Sequence, residues 1–503
     1  MAAGGAKGAA VGNAVGNDTR TLGDLGLSAR GGAGAEVRAL TADSRMVRPG
    51  TLFAALPGTA QHGARFAPQA LEAGASAILT DAAGAAMLGN AAVPVVVAED
   101  PREALARAAA LFYARQPRVI AAVTGTNGKT SVASFLRQLW ELDGLAAVSI
   151  GTVGVEGAFA AATGHTTPEP VTLHRLLAEI AGAGVEHAAM EASSHGLAQR
   201  RLDGVRLRAA GFTNITQDHL DYHKDFADYF AAKMGLFDRV LPEDGVAVVD
   251  IDGARGLEVA AIARERGQDV VTVGETEGAD LRILRRRYEA EGQEVLVDWR
   301  GVRRSLRLGL IGGFQASNVC MAAGLAIGCG MEPARAFELM PRLKGVRGRM
   351  EKAAVREGGG AVFVDYAHTP DAVRVACEAL RPHVMGRLVA IVGAGGDRDR
   401  GKRPLMGAAA IAGADAVIVT DDNPRTEDPA TIRAAVLDGA PGATEIGDRA
   451  EAILRGAAMI GPGDALLVMG KGHESYQEVA GVKHPFDDVE QASLAVAALE
   501  GQA

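Results

Sequence analysis

The hydrophobic positions of this chain alternate between short apolar runs and longer stretches with the spacing of a helix. Residues 119–123 form one such run, Val-Ile-Ala-Ala-Val, and residues 131–140 follow with helical periodicity. A short apolar run with β-branched residues is typical of a strand buried in a parallel sheet. The pattern therefore predicts a buried strand, a tight turn and then a helix.

The same alternation continues on both sides of this segment. Residues 77–80 and 93–97 are predicted to be short strands, and residues 101–115 a helix. Beyond residue 360 four apolar runs are separated by helical patterns: residues 361–364, 388–392, 416–419 and 465–469. Strands that alternate with helices indicate an α/β fold with an open parallel sheet.

The turn after residue 123 carries candidate chemistry, because it reads Gly-Thr-Asn-Gly-Lys-Thr-Ser. Amides freed by the glycines and a helix N-terminus favour an anion, Lys129 can reach the outer phosphates, and Thr130 can place its hydroxyl on magnesium. The loop is shorter than the common phosphate-loop pattern, and the alternative is an ordinary turn with a solvated lysine. The flanking strand and helix favour a nucleoside triphosphate site, formed by Gly125, Thr126, Asn127, Gly128, Lys129, Thr130 and Ser131.

We predict three α/β domains after a disordered Ala/Gly-rich tail, residues 1–17. Residues 18–116 form an N-terminal α/β domain. Residues 117–345 form a central P-loop-type ATPase domain with a parallel sheet, and residues 346–503 form a C-terminal Rossmann-like doubly wound domain.

Composition narrows the class of protein. The chain has 503 residues and a net charge of −9, without a basic stripe, which argues against a nucleic-acid partner. Cys320, Cys329 and Cys377 lack metal-ligand spacing and are expected to be reduced thiols. No stretch has the length and apolarity of a membrane span, and the N-terminus lacks the apolar core of a signal peptide. We therefore expect a cytoplasmic protein without membrane insertion.

A polar cluster follows each of the four predicted C-terminal strands. The clusters begin at Asp365, Gly393, Asp421 and Gly470. Ligands bind at the carboxyl ends of the strands of an open parallel sheet. One Asp-Asn-Pro-Arg segment alone would be read as a turn with a solvated arginine. Four clusters together predict one shared site.

The middle of the chain holds a second constellation. Glu191 follows a predicted strand, residues 185–190, and nearby polar residues are Asn214, Asp218, His219 and His223. Ser193 and His195 lack the nucleophile elbow of a hydrolase, so we discount that chemistry. Taken alone, Lys233 on its apolar helical stretch is expected to be a surface lysine.

Together these motifs resemble the Mur ligase family, the ATP-dependent enzymes that add amino acids to the peptidoglycan precursor. The resemblance spans residues 43–474 and is carried by residues 125–130, 191–196, 214–223, 348–351 and 365–370. Residues 422–425, Asp-Asn-Pro-Arg, resemble the signature of members that use meso-2,6-diaminopimelate, whereas members that add L-lysine lack an arginine at Arg425. The resemblance implies that this amino acid is joined to the D-glutamate γ-carboxylate of UDP-N-acetylmuramoyl-L-alanyl-D-glutamate through an acyl phosphate. It also implies a role in cell-wall biogenesis, cell shape and cell division.

The resemblance further implies catalytic roles. Lys129, Arg349 and two magnesium ions would stabilise the transferring phosphoryl group. Thr130 and Glu191 would hold the first ion, and Glu191, His219 and Lys233 the second. Because an ammonium cannot ligate a cation, Lys233 would be carbamylated by CO2 to N6-carboxylysine, which replaces the expectation of a surface lysine.

Substrate contacts are implied in the same way. Asn318 and Asp365 would contact the adenosine, although Gln315 departs from the Asn usual in relatives. The residues implied for the UDP-MurNAc-dipeptide are Ser44, Thr166, Thr167, Ser193, Gln199 and Arg201. Those implied for diaminopimelate are Arg398, Asp422, Asn423, Pro424, Arg425, Gly470 and Glu474. We expect only small-molecule substrates and a monomeric protein.

The choice of amino acid has a physical basis. Diaminopimelate carries a distal carboxylate that lysine lacks, and Arg425 can grip it with two hydrogen bonds. Glu474 can accept from the distal ammonium. Lysine would leave Arg425 unpaired, and that penalty gives discrimination.

Two alternatives remain, a related ligase and a protein of a different class. A folylpolyglutamate synthase shares the fold and a similar loop, but the clusters at residues 422–425 and 470–474 argue against it. A nucleotide-dependent switch without chemistry would not need Glu191, His219 and Lys233 together.

Overall fold

The computed structural model of the chain describes residues 19–29, 32–58, 61–216 and 222–501. The predicted tail, residues 1–17, lies outside this range. The chain forms two compact units. The first comprises the described residues through Pro117 with Pro168–Gly184 and Gln199–Val205, and the second comprises Arg118–Thr167, Val185–Ala198 and the described residues from Arg206 onward. The three domain boundaries drawn from the sequence stay a prediction.

The first unit is built on a parallel sheet in the order β3-β4-β5-β6, beside an antiparallel pair, β1 and β2. Its strands are β1 Arg20–Thr21, β2 Glu36–Val37, β3 Ala39–Thr41, β4 Thr51–Ala54, β5 Ala75–Thr80 and β6 Val95–Val97, and its first helices are α1 Ala67–Glu72, α2 Ala82–Leu88 and α3 Pro101–Tyr113. Asp100 caps α3 through the amides of Arg102 and Glu103. The two predicted strands and the helix are confirmed, with ends shifted by up to two residues.

The second unit contains a large mixed sheet. Its strands are β7 Val119–Thr124, β8 Ala147–Gly151, β9 Gly154–Gly157, β10 His187–Glu191, β11 Ala209–Phe212, β12 Val246–Asp250, β13 Asp269–Gly274, β14 Leu281–Glu289, β15 Gly292–Trp299 and β16 Val302–Leu308. The helices along this stretch are α4 Lys129–Leu142, α5 Pro170–Gly182, α6 Ser194–Ala198, α7 Phe226–Gly235, α8 Gly256–Glu265, α9 Gly313–Gly328 and α10 Pro333–Leu339, of which α5 belongs to the first unit.

The strand order of this sheet is β16-β15-β14-β13-β12-β11-β7-β10-β8-β9. Strands β8, β10, β7, β11, β12, β13 and β14 pair in parallel, as the sequence predicts for the nucleotide-binding core. The antiparallel meander of β14, β15 and β16, and the antiparallel β9, extend the sheet at its edges. The sequence predicts only alternating strands and helices in this region, so the antiparallel meander is a feature that was not predicted.

The C-terminal part of the second unit forms another sheet, in the order β17-β18-β22-β19-β20-β21. Its strands and a following hairpin are β17 Glu351–Val355, β18 Ala361–Asp365, β19 Leu388–Val392, β20 Ala416–Val419, β21 Thr444–Glu445, β22 Ala465–Met469, β23 Tyr476–Val479 and β24 Val482–Pro485. Its helices are α11 Pro370–Leu380, α12 Lys402–Gly413, α13 Pro429–Leu437, α14 Arg449–Met459 and α15 Asp488–Leu499.

Helices cover both faces of this C-terminal sheet. Leu388, Ala390 and Val392 share one buried cluster with residues of α11, α12 and α13, whereas Val389 and Ile391 share another with residues of α14 and α15. Buried residues on both sides of each strand explain why the strands read as continuous apolar runs. The doubly wound arrangement predicted from those runs is confirmed.

The structure describes both the state of the three cysteines and the apolar character of the helices. Cys320, Cys329 and Cys377 are free thiols, and burial raises the pKa of each to about 12. Within the described ranges, none of the helices has the length and apolar character needed to cross a membrane.

Candidate active site

The predicted phosphate loop joins β7 to α4. Gly128 caps α4 with a φ of +88°, and a side chain there would meet Asn318 Oδ1 at 2.6 Å. Gly125 has a φ of +148°, and a Cβ atom there would lie 1.9 Å from Thr213 Oγ1. Both positions therefore require glycine. The first amides of α4 lie before any intrahelical acceptor and point out of the helix start, where an anion is favoured.

The loop is clamped from β11 by residues to which the sequence analysis gave no role. The amides of Thr126 and Asn127 donate to Asn214, to its carbonyl at 2.9 Å and its Oδ1 at 2.9 Å. Thr213 Oγ1 donates to the carbonyl of Asn127 at 2.6 Å. These two loop amides are thus already bonded, which leaves the first turn of α4 as the main-chain donor set for a phosphate.

Lys129 folds back over the loop. Its Nζ donates to the carbonyls of Gly125 at 2.9 Å and Thr126 at 2.8 Å. This conformation holds the ammonium at the mouth of the loop, the position that a lysine of a phosphate loop needs.

Glu191 ends β10 beside the end of β8, and its side chain is 1% exposed. Its Oε1 accepts from the Thr152 amide at 2.8 Å, and its Oε2 from Thr152 Oγ1 at 3.2 Å. A Cβ atom on Gly151 would lie 2.1 Å from Glu191 Oε1, so the close approach depends on glycine. In the part of the chain that the structure describes, both donors to this carboxylate belong to Thr152, which is neutral.

This donor set fits a magnesium ion. Thr130 and Glu191 line one cavity, together with Ser134, Ser149 and Glu156. Hydroxyl and carboxylate oxygens are the ligands that magnesium prefers. A buried carboxylate bonded to neutral donors also favours a cation at its free lone pairs. The described residues hold no cluster of three or more His, Cys, Asp or Glu side chains with metal-ligand geometry.

Three residues predicted to contact the muramyl-peptide gather around Glu191. Thr167 Oγ1 donates to the Glu191 carbonyl at 2.9 Å and accepts from the amide and the hydroxyl of Ser193 at 3.0 and 3.1 Å. Thr166 Oγ1 lies 3.0 Å from Thr152 Oγ1. Thr166, Thr167 and Ser193 therefore share one network with the predicted metal ligand.

Lys233 lies on α7 and is 1% exposed, so the expectation of a surface lysine, formed from its position alone, is wrong. Its Nζ donates to the Gly125 carbonyl at 2.7 Å and lies 4.4 Å from the ring centroid of Tyr229. The lysine is thus built into the wall of the phosphate loop. Its predicted partner His219, like Asp218, lies outside the described residues.

Arg349 reaches the loop from the C-terminal sheet. Its NH2 donates to Thr130 Oγ1 at 3.1 Å, and its guanidinium carbon lies 4.5 Å from the Tyr366 ring centroid. Asp365 supports this arginine by accepting the Met350 amide at 2.7 Å. Burial raises the pKa of the Asp365 carboxyl, which the nearby Arg349 opposes. Arg349 is therefore positioned for a charge that develops at the loop.

Asn318 lies on α9 next to Gly128, and its Nδ2 donates to Gln315 Oε1 at 3.2 Å. Gln315 is 1% exposed, and its Oε1 is the acceptor that orients Asn318.

The motifs after β20 and β22 meet in a largely buried polar cluster, which we call the amino-acid pocket after its predicted ligand: Asp422, Asn423, Arg425, Lys471 and Glu474. Asn423 Nδ2 donates to Glu474 Oε2 at 2.8 Å, and Lys471 Nζ donates to Asn423 Oδ1 at 3.0 Å. Burial raises the pKa of Glu474, and Asp422 adds to the rise, whereas Lys471 opposes it. Burial likewise lowers the pKa of Lys471. Gly470 is required here, because a Cβ atom would lie 2.5 Å from Asp422 Oδ2.

Arg425 follows Pro424 with a φ of +54°. Its NH1 donates to the Gly396 carbonyl at 2.7 Å, and its Nε lies 3.8 Å from Glu478 Oε2. Its side chain is 21% exposed, so part of it can meet a ligand. Arg398, by contrast, is exposed, and its NH1 donates to the Asp397 carbonyl at 3.3 Å. The structure therefore brings Asn423 and Glu474 together directly, and it leaves Arg398 on an exposed turn.

The remaining predicted residues lie in the first unit. Ser44 Oγ donates to Gln69 Oε1 at 3.1 Å. Arg201 donates to Gln199 Oε1 from NH2 at 2.8 Å and from Nε at 3.2 Å. Their predicted contact with the UDP-sugar substrate stays a prediction.

Family models match most of the chain: the "Mur ligase family, catalytic domain" at residues 36–113, the "Mur ligase middle domain" at residues 123–326 and the "Mur ligase, glutamate ligase domain" at residues 348–472. The chain belongs to the Mur ligase family.

Relatives and solved structures narrow the likeness within that family. The UDP-N-acetylmuramoyl-L-alanyl-D-glutamate--2,6-diaminopimelate ligase of Caulobacter vibrioides is 52% identical over 92% of this chain and 96% of its own length. A solved structure of a protein with the same name is 34% identical with a TM-score of 0.70, over 96% of this chain and 100% of that one. Mycobacterium tuberculosis folylpolyglutamate synthase, at 20% identity and a TM-score of 0.61, over 80% of this chain and 95% of its own, shares the fold alone.

Proposed function

We propose that this chain is an ATP-dependent ligase of peptidoglycan precursor synthesis. It adds meso-2,6-diaminopimelate to the D-glutamate γ-carboxylate of UDP-N-acetylmuramoyl-L-alanyl-D-glutamate. Relatives that carry this activity in their name match nearly the whole chain, which supports the reaction class. The observation that carries the choice of amino acid is the hydrogen bond between Asn423 and Glu474, which follow two parallel strands of one sheet, with Arg425 two residues after Asn423.

The reaction has two steps. An oxygen of the D-glutamate γ-carboxylate attacks the γ-phosphorus, the bond to the bridging oxygen breaks, and ADP leaves. The amino nitrogen of diaminopimelate then attacks the acyl carbon, loses a proton, and inorganic phosphate departs. The protein supplies positioning and charge neutralisation, for which Lys129 and Arg349 face the loop.

Magnesium, when bound, neutralises the phosphate oxygens, and Thr130 and Glu191 are the residues that would hold it. We infer a second ion held by Glu191, His219 and a Lys233 carbamylated by CO2. The side chain of Lys233 is buried with its Nζ 2.7 Å from the Gly125 carbonyl of the phosphate loop, and this position beside the predicted phosphate site supports the inference. The cytoplasmic location and the monomeric state stay predictions.

A product assay tests the proposal. The purified chain receives ATP, magnesium, the UDP-MurNAc-dipeptide and diaminopimelate, and mass spectrometry follows the products. We expect one ADP for each UDP-MurNAc-tripeptide, and no tripeptide when either the UDP-MurNAc-dipeptide or diaminopimelate is omitted. ADP release that is unchanged when the UDP-MurNAc-dipeptide and diaminopimelate are both omitted would instead support a nucleotide-dependent switch without ligase chemistry.

A further inference from the structure

A buried ion pair lies directly beneath the amino-acid pocket. Arg449 opens α14, Asp488 opens α15, and both side chains are 0% exposed. The guanidinium and the carboxylate meet at two points, Nε to Oδ1 at 2.7 Å and NH2 to Oδ2 at 2.6 Å. This two-point geometry fixes the plane of the arginine.

The other donors of Arg449 reach two strand ends. NH1 donates to the carbonyl of Asp421 at 3.2 Å, and NH2 donates to the carbonyl of Met469 at 3.0 Å. Asp421 directly precedes the segment 422–425, and Met469 directly precedes the segment 470–474. One guanidinium therefore holds the backbone just before both parts of the pocket.

The spacing of those two parts decides the pocket geometry. Asn423 and Glu474 bond across them at 2.8 Å, and Lys471 bonds back to Asn423 at 3.0 Å. Strands β20 and β22 are not paired with each other, because β19 lies between them. Main-chain bonds therefore do not join the two strand ends directly, and Arg449 does so. Further along the chain, the Arg425 amide donates to the Glu478 carbonyl, and the Ala480 amide donates to the Arg425 carbonyl.

Such a pair contributes little to stability that apolar residues would not also give. Replacing a buried ion pair by apolar residues of similar volume is often neutral or stabilising, whereas removing one partner is costly. A geometric role therefore explains the arginine better than a stabilising role does. The planar fork of arginine suits such a role, whereas lysine would keep the charge but lose the fork.

We propose that Arg449, held by Asp488, is a positioning residue that sets the spacing of the amino-acid pocket and so its affinity for the incoming amino acid. This inference rests on the proposed function for the identity of that amino acid. Because the Arg449 side chain is 0% exposed, it would act through the pocket residues that its bonds position.

The test compares a double variant, Arg449→Met with Asp488→Leu, with Arg449→Lys and a matched control. The control is Arg356→Met, since Arg356 NH1 donates to the carbonyls of Ala457 and Ile460 at 3.2 and 3.0 Å, at the other end of α14. The double variant leaves no unpaired buried charge and so separates positioning from folding. Thermal unfolding of each variant checks that the fold is retained.

We expect KM for diaminopimelate to rise about tenfold or more in the double variant, with KM for ATP unchanged and the control like the wild type. Arg449→Lys should not rescue the affinity. Hydrogen–deuterium exchange, which needs no substrate, should be faster at residues 421–425 and 470–474 in the double variant than in the control.

A double variant with normal KM and normal exchange would overturn the proposal, and so would an equal rise in KM for ATP. If the wild type makes no product with diaminopimelate, the proposed function fails. Faster exchange in the double variant would then still support the positioning role, and unchanged exchange would refute it.

Discussion

The phosphate loop and the amino-acid pocket, both in the second unit, are built in different ways. The loop is one continuous segment whose shape is fixed by glycines and by main-chain bonds to Thr213 and Asn214. The pocket is assembled from segments that follow separate strands. Asn423, Lys471 and Glu474 are held by one another's side chains, and Arg425 is held by the Gly396 carbonyl. A loop of the first kind presents main-chain donors that suit any triphosphate, whereas a pocket of the second kind can select one amino acid. Variants in the two regions should therefore fail differently.

Lys129→Ala should give the largest loss. Removing the ammonium from the loop should lower turnover by about a thousandfold, because a preorganised charge at the transferring phosphoryl group is lost. The measurement is phosphate release with the UDP-MurNAc-dipeptide and diaminopimelate present, and circular dichroism confirms that the variant is folded. The exposed Lys344→Ala serves as the control and should turn over normally. Turnover of Lys129→Ala within a few-fold of wild type would remove the nucleotide assignment.

Lys233→Ala should lose about a hundredfold in turnover, because the proposed carbamate would no longer supply an oxygen ligand. Wild-type activity in a CO2-depleted buffer should recover on addition of bicarbonate. High concentrations of short carboxylates should partly restore Lys233→Ala but not Lys233→Arg, whose guanidinium would fill the space. Bicarbonate-independent activity would show that the lysine acts through its bond to Gly125 alone.

Arg425→Ala tests the pocket side of the comparison. Loss of the proposed charge-assisted pair with the distal carboxylate should cost about 2 kcal/mol in kcat/KM for diaminopimelate. This is the lower end of the range for buried pairs, because the Arg425 side chain is 21% exposed. KM for ATP should stay the same, and the preference over L-lysine should narrow. Equal losses for both amino acids would make Arg425 a structural residue.

The smallest expected effect is a pH dependence confined to the pocket. Burial and Asp422 raise the pKa of Glu474, so this carboxyl becomes protonated at a higher pH than the value of about 4.3 of an ordinary glutamate. As the pH falls through the raised pKa of Glu474, KM for diaminopimelate should rise, because the ionised carboxylate that accepts from the distal ammonium is lost. KM for ATP should stay the same. Glu474→Gln should have a high KM that no longer changes with pH. A wild-type KM that is flat over the same range would contradict the role of Glu474.

The same contrast explains what the sequence could predict. The strands at residues 388–392, 416–419 and 465–469 match their apolar runs residue for residue, because strands buried on both faces leave a continuous signal. Strands β14 and β16 were not anticipated, since arginines interrupt their apolar positions and no continuous run marks them. The apolar-run criterion finds buried strands and overlooks half-exposed ones.

Site residues divide along the same line. The phosphate loop is a local motif, and its glycines and Lys129 were predicted from neighbouring residues. Thr152, Lys471 and Arg449 were missed, because their roles depend on bonds to residues that are 39, 48 and 28 positions away in the chain. The burial of Lys233 likewise could not be predicted from its own helical stretch, because a single lysine among apolar residues also occurs in surface helices.

A competition assay tests the central claim most directly. The wild-type chain is given ATP, magnesium, the UDP-MurNAc-dipeptide and equal concentrations of diaminopimelate, L-lysine and L-glutamate, and mass spectrometry identifies the products. We predict that the diaminopimelate product dominates, because only this amino acid satisfies both Arg425 and Glu474. A mixture that contains the L-lysine or L-glutamate product in comparable amount would contradict the account.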